Sequence, residues 1–288
     1  MASMKELVHS HRFKGIILAI IASTLWSIGG ILVKLLDWNP VAISGSRSFI
    51  ASLVILAYIR KPKITKSKPQ IIGAIAYSAT VLFYVIANKL TTAANAILLQ
   101  YTAPIFVAIL SFFILREKIH WYDIASIVAV VLGMALFFID GVDSGNILGN
   151  IIAIASGFAV ACNTLALRVQ KDDSALETVW LGNLLTFIIA VPFILQVDIS
   201  VRDLIIVVIL GVFQLGISYI AYANCLKYIT ALEAILIAVL EPLLNPIWVY
   251  IFLGEKPSIN AIFGGIIVIV AITLRGIYVT MKTSEENI

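Results

Sequence analysis

Long apolar segments recur along the whole chain, and only short polar connections separate them. There are ten such segments, and each is long enough to cross the roughly 30 Å hydrocarbon core of a bilayer as an α-helix. We call them spans 1 to 10, and they cover residues 14–36, 40–60, 70–89, 93–115, 121–139, 148–168, 175–196, 203–225, 231–253 and 259–281. The pattern predicts an all-α integral membrane protein with ten transmembrane helices, because lipid requires every backbone polar group to be satisfied internally.

The composition excludes several classes of function. Of the 288 residues, 61% are hydrophobic and 12% are charged, whereas soluble domains are about half apolar and a quarter charged. The basic excess lies in short connections, where it reports topology, so nucleic-acid binding is not expected. The cysteines and histidines form no metal-ligand motif, so we expect neither a metal nor another cofactor.

Lysine and arginine are distributed unevenly between the two sides of the membrane. With both termini on the same inner side, fourteen of them fall in inner segments and three in outer loops. The positive-inside rule then predicts a multi-pass protein of the plasma or inner membrane with cytoplasmic N and C termini. The oligomeric state stays open between a monomer and a homodimer.

The chain also contains an internal repeat. Residues 73–118 align without a gap on residues 211–256, with thirteen identities in 46 positions. We therefore divide the chain into two five-helix halves, 1–144 and 145–288. Because five is odd, the second half enters the membrane from the opposite face, which gives an inverted-topology repeat. Such repeats enclose a site at the membrane midplane and permit alternating access.

The same region carries a family resemblance. YTAPIFVAILSFFILREK (101–118) and VLEPLLNPIWVYIFLGEK (239–256) each close a half, and they resemble the EamA-type branch of the drug/metabolite transporter superfamily. The resemblance covers nearly the whole chain. It implies ten helices in two inverted halves, cytoplasmic termini, and secondary active transport, often export, of amino acids and other small metabolites. It also implies a central cavity surrounded by spans 1, 3, 4, 6, 8 and 9, with spans 5 and 10 at the periphery.

A glutamate lies at the centre of span 9, directly before a proline. Pro242 and Pro246 cannot donate backbone hydrogen bonds, so the carbonyls of Ala238 and Pro242 lose their helical partners. Either Glu241 or Asn245 meets these carbonyls in a simple kink, or span 9 faces a hydrated cavity where Glu241 binds substrate or exchanges a proton. We favour the second interpretation, because an ionisable group at the bilayer centre costs about 2.5–3.5 kcal/mol. Burial also favours its neutral form, as a proton-coupled carrier needs.

Other polar and aromatic side chains recur at helical spacing on these spans or lie near their middles. The substrate-binding candidates are Trp26, Lys34, Arg47, Tyr77, Tyr84, Gln100, Tyr101, Asn163, Gln214, Ser218, Tyr222, Glu241 and Asn245. The hinge candidates are Pro104, Pro242 and Pro246. Ordinary packing explains each aromatic taken singly, whereas their convergence on repeat-related spans favours a cavity wall.

The remaining charges inside the spans have their own interpretations. Arg47 lies too deep in span 2 to reach water easily, so it either lines the cavity or pairs with a carboxylate such as Glu241. Arg275, near the inner end of span 10, is expected to snorkel to the interface. Glu233 is expected to be structural, in a capping box with Thr230 in which its carboxylate reaches back to the start of span 9.

These features predict an alternating-access carrier of small metabolites. The leading hypothesis is an exporter of amino acids or related amphipathic metabolites, with protons as a candidate coupling ion. A sugar-phosphate or nucleotide-sugar exchanger is the alternative, but it needs several basic residues at one depth, and Lys34, Arg47 and Arg275 are scattered. An integral-membrane lipid-modifying enzyme would need clustered acids or histidines at a membrane face. The sequence has no such cluster, so no catalytic residue is expected.

Overall fold

The computed structural model describes the backbone of residues 4–91, 93–141, 146–253 and 258–285. It describes their side chains too, except at residues 4–10, 30, 31, 34, 88, 89, 93–95, 141, 245, 246, 249, 252, 253, 280 and 282–285.

Helices account for almost all of the described backbone. The α-helices are α1 (Met4–Ser27), α2 (Gly29–Lys34), α3 (Pro40–Ile59), α4 (Lys68–Leu90), α5 (Ala93–Gln100), α6 (Ala103–Leu110), α7 (Trp121–Phe138), α8 (Ile147–Val169), α9 (Ala175–Ile194), α10 (Val201–Ile209), α11 (Ser218–Cys225), α12 (Ala231–Ala238), α13 (Leu240–Leu253) and α14 (Ile259–Glu285). Two π-helical segments, Ser111–Leu115 and Leu210–Ile217, continue α6 and join α10 to α11. The described part of the chain contains no strand.

Eight of the predicted spans form apolar helices of 18 residues or more, long enough to cross a membrane. Span 4 is one of these eight, although a turn at residues 101–102 separates its α5 from its α6. Spans 1 and 9 are helical as well but are divided, span 1 between α1 and α2 and span 9 between α12 and α13. The prediction of an all-α, multi-pass membrane protein is confirmed.

Side-chain caps explain where several helices begin. Asn39 accepts a hydrogen bond from the backbone N–H of Val41 at 2.9 Å before α3, and Asn146 accepts one from Leu148 at 2.9 Å before α8. These bonds satisfy backbone donors that the first helical turn leaves free. Because the caps are encoded locally, the helix starts follow from the sequence.

The predicted cap at the start of span 9 is confirmed in part. Thr230 Oγ1 accepts a hydrogen bond from the backbone N–H of Glu233 at 3.1 Å. The Glu233 carboxylate does not reach back to the Thr230 backbone as predicted. It accepts a hydrogen bond from Arg12 Nη2 at 2.6 Å, because α1 runs past this end of span 9.

The helices pack in a pattern that places spans 5 and 10 against each other and the other spans around a shared centre. The main contacts are span 1 with spans 8 and 9, span 2 with spans 7 and 8, span 3 with spans 6 and 7, span 4 with span 6, and span 5 with span 10. Gly182 of span 7 permits one of the closest approaches, because a Cβ there would lie 2.7 Å from the Tyr77 side chain of span 3. Tyr77 is thereby fully buried at the centre of the bundle.

We call the end of the bundle at which α1 begins and α14 ends the terminal face. Ion pairs at this face join the first half of the chain to the second. They are Arg12–Glu233 at 2.6 Å, Lys63–Asp173, Glu117–Arg168 at 3.6 Å and Asp123–Arg275 at 2.8 Å. The two halves are therefore held together at the terminal face.

The last of these pairs corrects a prediction. Arg275 does not snorkel to the interface, since its side chain is 8% exposed and its Nε donates a hydrogen bond to Asp123 Oδ1 at 2.9 Å. Asp123 lies in the first turn of α7, so the close packing of spans 5 and 10 brings the two charges together.

Candidate functional site

Spans 4 and 9 are both interrupted just before a proline. α5 ends at Gln100 and α6 begins at Ala103, with Pro104 in its first turn, while α12 ends at Ala238 and α13 begins at Leu240, ahead of Pro242. Proline has no N–H to donate to the carbonyl four residues earlier, so the helical ladder breaks at these points. Both breaks lie near the middle of a span, where free backbone groups need polar neighbours.

One tyrosine connects the two interrupted spans. The hydroxyl of Tyr101 lies 3.1 Å from Glu241 Oε2 and donates a hydrogen bond to it. The same hydroxyl lies 3.4 Å from the carbonyl oxygen of Ala238, the group that Pro242 leaves without its helical donor. The side chain within hydrogen-bond distance of the Ala238 carbonyl is therefore Tyr101 and not Glu241. The Glu241 residue is half-buried beside Tyr101.

The cation near this carboxyl group is Arg47 of span 2. Its guanidinium is buried, and Nη1 donates a hydrogen bond to Gln214 Oε1 of span 8 at 3.0 Å. Arg47 forms no ion pair with any described carboxylate. The Glu241 carboxyl is nevertheless close enough for an electrostatic interaction with this guanidinium. A guanidinium and a carboxyl group thus lie near each other inside the bundle without contacting each other.

Four aromatic rings form one wall of this centre. Tyr219 lies at ring-centroid distances of 4.8 Å from Tyr77 and 5.1 Å from Trp26, and Trp26 lies 5.0 Å from Tyr222. The rings come from spans 1, 3 and 8. Aromatic faces attract cations, and the apolar ring bodies suit an uncharged side chain.

Sequence spacing predicted Ser218 on this wall, and the structure places Tyr219 there. The π-helical segment Leu210–Ile217 makes i+5 to i hydrogen bonds, so it needs more residues per turn than an α-helix. The face that begins at Gln214 therefore continues at Tyr219. The Ser218 hydroxyl instead donates to the backbone carbonyls of Gln214 and Leu215 in its own helix. A four-residue period could not reveal this shift.

Several buried polar atoms around the centre have no hydrogen-bond partner among the described residues. They are Trp26 Nε1, Ser44 Oγ, Arg47 Nε, Ser48 Oγ and Asn163 Oδ1. Each unsatisfied buried polar group costs about 1–3 kcal/mol. Unsatisfied buried groups of this kind suit a site that receives a polar ligand, since the ligand satisfies groups that the fold leaves open.

Comparison with known proteins decides the class to which this arrangement belongs. Residues 13–139 and 147–276 each match the model of the EamA-like transporter family. The chain belongs to this family. The match covers both halves and supports a transporter rather than an enzyme.

Relatives of this EamA-like transporter agree with that conclusion. An uncharacterized transporter of Clostridium kluyveri is 22% identical to it, over 89% of this chain and 91% of that protein. One from Archaeoglobus fulgidus is 24% identical, over 94% of this chain and 98% of that protein. A crystal structure of a protein 18% identical to it superposes with a TM-score of 0.77 and covers 93% of this chain and 98% of that chain, which shows that the fold is shared.

Some predicted site residues of the EamA-like transporter make contacts away from the charged pair. Gln100 Nε2 donates to Ser156 Oγ at 2.7 Å, which ties span 4 to span 6. Tyr84, by contrast, is half-buried and lies near Arg47 itself. The side chains of Lys34, Asn245 and Pro246 lie outside the described residues.

The structure also adds residues that the sequence did not single out. Thr164 Oγ1 and the Tyr222 hydroxyl lie 3.0 Å apart, and the Tyr77 hydroxyl donates to Asn183 Oδ1 at 3.0 Å. Trp248 Nε1 donates to Ser27 Oγ at 2.8 Å and so links span 9 to span 1. These partners lie 58 to 221 residues apart in sequence, so no local pattern indicates them.

Two clefts of this transporter lie apart from the charged centre. One of about 460 Å³ runs between spans 1, 9 and 10 and has mostly apolar walls, including Ile20, Ile237 and Ile272. Another of about 180 Å³ opens at the terminal face beside Lys171 and Asn224. Neither is lined by the Arg47 or Glu241 side chains.

Proposed function

We propose that the protein is a secondary active, alternating-access transporter of small amphipathic metabolites, with amino acids as the leading substrate class and export as the direction. The observation that carries this proposal is the opposed pair Arg47 and Glu241, which faces an aromatic wall without forming an ion pair. A zwitterion complements both charges, and its side chain suits the rings of Trp26, Tyr77 and Tyr222.

The proposal includes an inverted repeat of residues 1–144 and 145–288. The main helix contacts support it, because exchanging spans 1–5 with spans 6–10 converts the contact of spans 3 and 6 into that of spans 8 and 1. The same exchange converts the contact of spans 4 and 6 into that of spans 9 and 1, and it leaves the pairs 2–7 and 5–10 unchanged. The separate family match of each half is further support.

Alternating access follows from this arrangement. The helix breaks before Pro104 and Pro242 let the outer and inner parts of spans 4 and 9 move separately. The ion pairs between the halves at the terminal face close that side. In the opposite state of the transport cycle these pairs separate, and the centre opens to the terminal face.

The terminal face is the cytoplasmic face of the plasma or inner membrane in this proposal. The excess of lysine and arginine on the side of the two termini supports that orientation. Export then carries substrate from the terminal face, past Glu241, to the opposite face. Glu241 carries the coupled proton, because a carboxyl group that alternates between water and a buried site can alternate in charge.

The alternative exchanger of sugar phosphates receives less support. Such a site needs several cations at one depth, but Asp123 already neutralises Arg275 and holds it between spans 5 and 10. Arg47 remains the one cation at the centre among the described side chains. One guanidinium with one nearby carboxyl suits a zwitterion better than a phosphate dianion.

A reconstituted system tests the proposal. The purified full-length protein is reconstituted in liposomes. The liposomes are loaded in turn with each of the twenty common L-amino acids. Exchange uptake is then measured with and without a pH gradient. We expect at least one amino acid to exchange faster than in protein-free vesicles, and an inward-acidic gradient to change its rate. If all twenty fail while a sugar phosphate exchanges, the alternative replaces this proposal.

A further inference from the structure

Two serines of span 2 are among the buried side chains without a hydrogen-bond partner, although no sequence pattern marked them as site residues. The side chains of Ser44 and Ser48 are 0% exposed, and neither hydroxyl has a hydrogen-bond partner among the described residues. This is unusual in a helix, because a serine hydroxyl can donate to the carbonyl of the preceding turn. Ser52, one turn further on, does so by donating to the Phe49 carbonyl at 2.6 Å.

Both unsatisfied hydroxyls lie close to Arg47 along span 2. Residues three and four apart on a helix are neighbours, with Cβ atoms about 5–6 Å apart, so Ser44 neighbours both Arg47 and Ser48. Arg47 is only 8% exposed, and its Nε has no partner among the described residues either. Three buried polar side chains on adjacent turns are thus left with unused donors.

The helix contacts show which way this group faces. One flank of span 2 meets span 7, where Gly45 lies against Ala190, and the other meets span 8, where Arg47 donates to Gln214. The two serines lie between these flanks and point into the bundle, whereas Leu53 on the far side is 50% exposed. The donors therefore face the centre and not the lipid.

The chemistry of these donors selects the ligand. A guanidinium can only donate, and both hydroxyls are free to donate. An ionised carboxylate accepts up to about four hydrogen bonds and can form the direct ion pair that no described carboxylate forms with Arg47. An amide or an ammonium group meets this need poorly, since the first lacks the charge and the second cannot accept.

We propose that Arg47, Ser44 and Ser48 form a carboxylate subsite on span 2, and that the subsite makes a free carboxylate obligatory for the substrate. The inference rests on the proposed function and deepens it, because it fixes the orientation of the substrate. The carboxylate lies on span 2, and the substrate's ammonium group points towards Glu241 on span 9. The two serines are specificity-determining residues beside the charged pair.

The test compares serine variants that differ only in whether the lost hydroxyl had a partner. Ser44→Ala, Ser48→Ala and the double variant remove unpartnered hydroxyls, and Ser52→Ala removes one that its own helix satisfies. Full-length proteins are reconstituted, and uptake of each transported amino acid from the panel of twenty is measured against competition by that amino acid and by its carboxamide.

We expect each single variant to raise the half-saturating concentration about tenfold, the effect of losing one hydrogen bond to a charged group. The wild type should strongly prefer the carboxylate over the carboxamide, and this preference should shrink in the double variant. Ser52→Ala should match the wild type in both measurements. Thermal unfolding of each purified variant serves as the check on folding, because a misfolded variant would lose the cooperative unfolding transition of the wild type.

The outcomes separate this inference from the proposed function. Transport by the wild type with unchanged affinity and unchanged carboxylate preference in the double variant would overturn the subsite alone. A panel without any transported amino acid would overturn the proposed substrate class and the subsite with it. A wild type that transports the carboxamide as well as the amino acid would also overturn the subsite.

Discussion

Two arginines lie inside the bundle at the same 8% exposure, and their surroundings are opposite. Arg275 directs Nε and Nη2 to Asp123 Oδ1, at 2.9 and 2.8 Å. Arg47 gives one hydrogen bond to the neutral Gln214 and leaves Nε without a partner. The first arginine is satisfied by the fold and holds spans 5 and 10 together. The second is incompletely satisfied and suits a ligand. In our proposal, hydrogen-bond satisfaction, and not depth of burial, separates the structural arginine from the one that binds substrate.

The largest effect is expected from removing Asp123, the counter-ion of Arg275. Asp123→Ala leaves Arg275 buried and unpaired, which should cost about 3–5 kcal/mol of stability. The expected result is a clear drop in the unfolding temperature of the detergent-purified protein. Adding Arg275→Met to this variant removes both charges and should restore most of the loss. If the single variant is as stable as the wild type, the pair is not structural and the comparison fails.

Replacing Arg47, the arginine proposed to bind substrate, should impair uptake and leave stability nearly unchanged. Arg47→Met removes the charge that faces the substrate, and losing one partner of a buried charge interaction costs about 2–5 kcal/mol of binding, or roughly 30-fold or more in affinity. Stability should change little, since no described carboxylate is left unpaired. Uptake kinetics and thermal unfolding are measured side by side. A drop in unfolding temperature as large as that of Asp123→Ala would show that Arg47 has a structural role.

The carboxyl group of Glu241 should control how uptake depends on pH. Glu241→Gln keeps the shape and the hydrogen-bond acceptor for Tyr101 but cannot ionise. It should keep the substrate's carboxylate contact at Arg47, weaken the contact with the substrate's ammonium group, and lose the pH dependence of uptake. Tyr101→Phe keeps the carboxyl and should keep a pH dependence, which makes it the matched control. An unchanged pH profile in Glu241→Gln would remove its role as proton carrier.

The smallest effect is expected at a third arginine pair, which is partly solvated. Burial raises the pKa of Glu117 in the loop after span 4, and Arg168 at 3.6 Å opposes this only in part. A carboxyl whose pKa is raised on folding contributes stability that is present at low pH and is lost as the pH rises through the raised pKa. Glu117→Gln should therefore match the wild type at acidic pH and be more stable by less than about 1 kcal/mol near pH 7. Unfolding temperatures across this pH range check the sign, and a variant less stable at pH 7 would show that pairing with Arg168 dominates.

The sequence indicated part of the candidate site and missed part for identifiable reasons. Glu241, Tyr101 and Arg47 stood out because charged and polar side chains are rare in apolar segments. Tyr219 did not, because the π-helical segment before it moves the inward face by one residue. The serines of span 2 look like ordinary small residues in the sequence, and only the absence of partners in the fold distinguishes Ser44 and Ser48 from Ser52.

By itself, the sequence determined that the chain is an all-α membrane protein, where its spans lie and how several helices begin. Hydrophobicity and capping act over a few neighbouring residues, so these features need no knowledge of the fold. Only the tertiary structure decided that Asp123 neutralises Arg275 across 152 residues while Arg47 meets a neutral glutamine. Which polar atom receives a partner depends on how helices far apart in sequence pack, because a hydrogen bond forms only within about 3 Å and at a favourable angle.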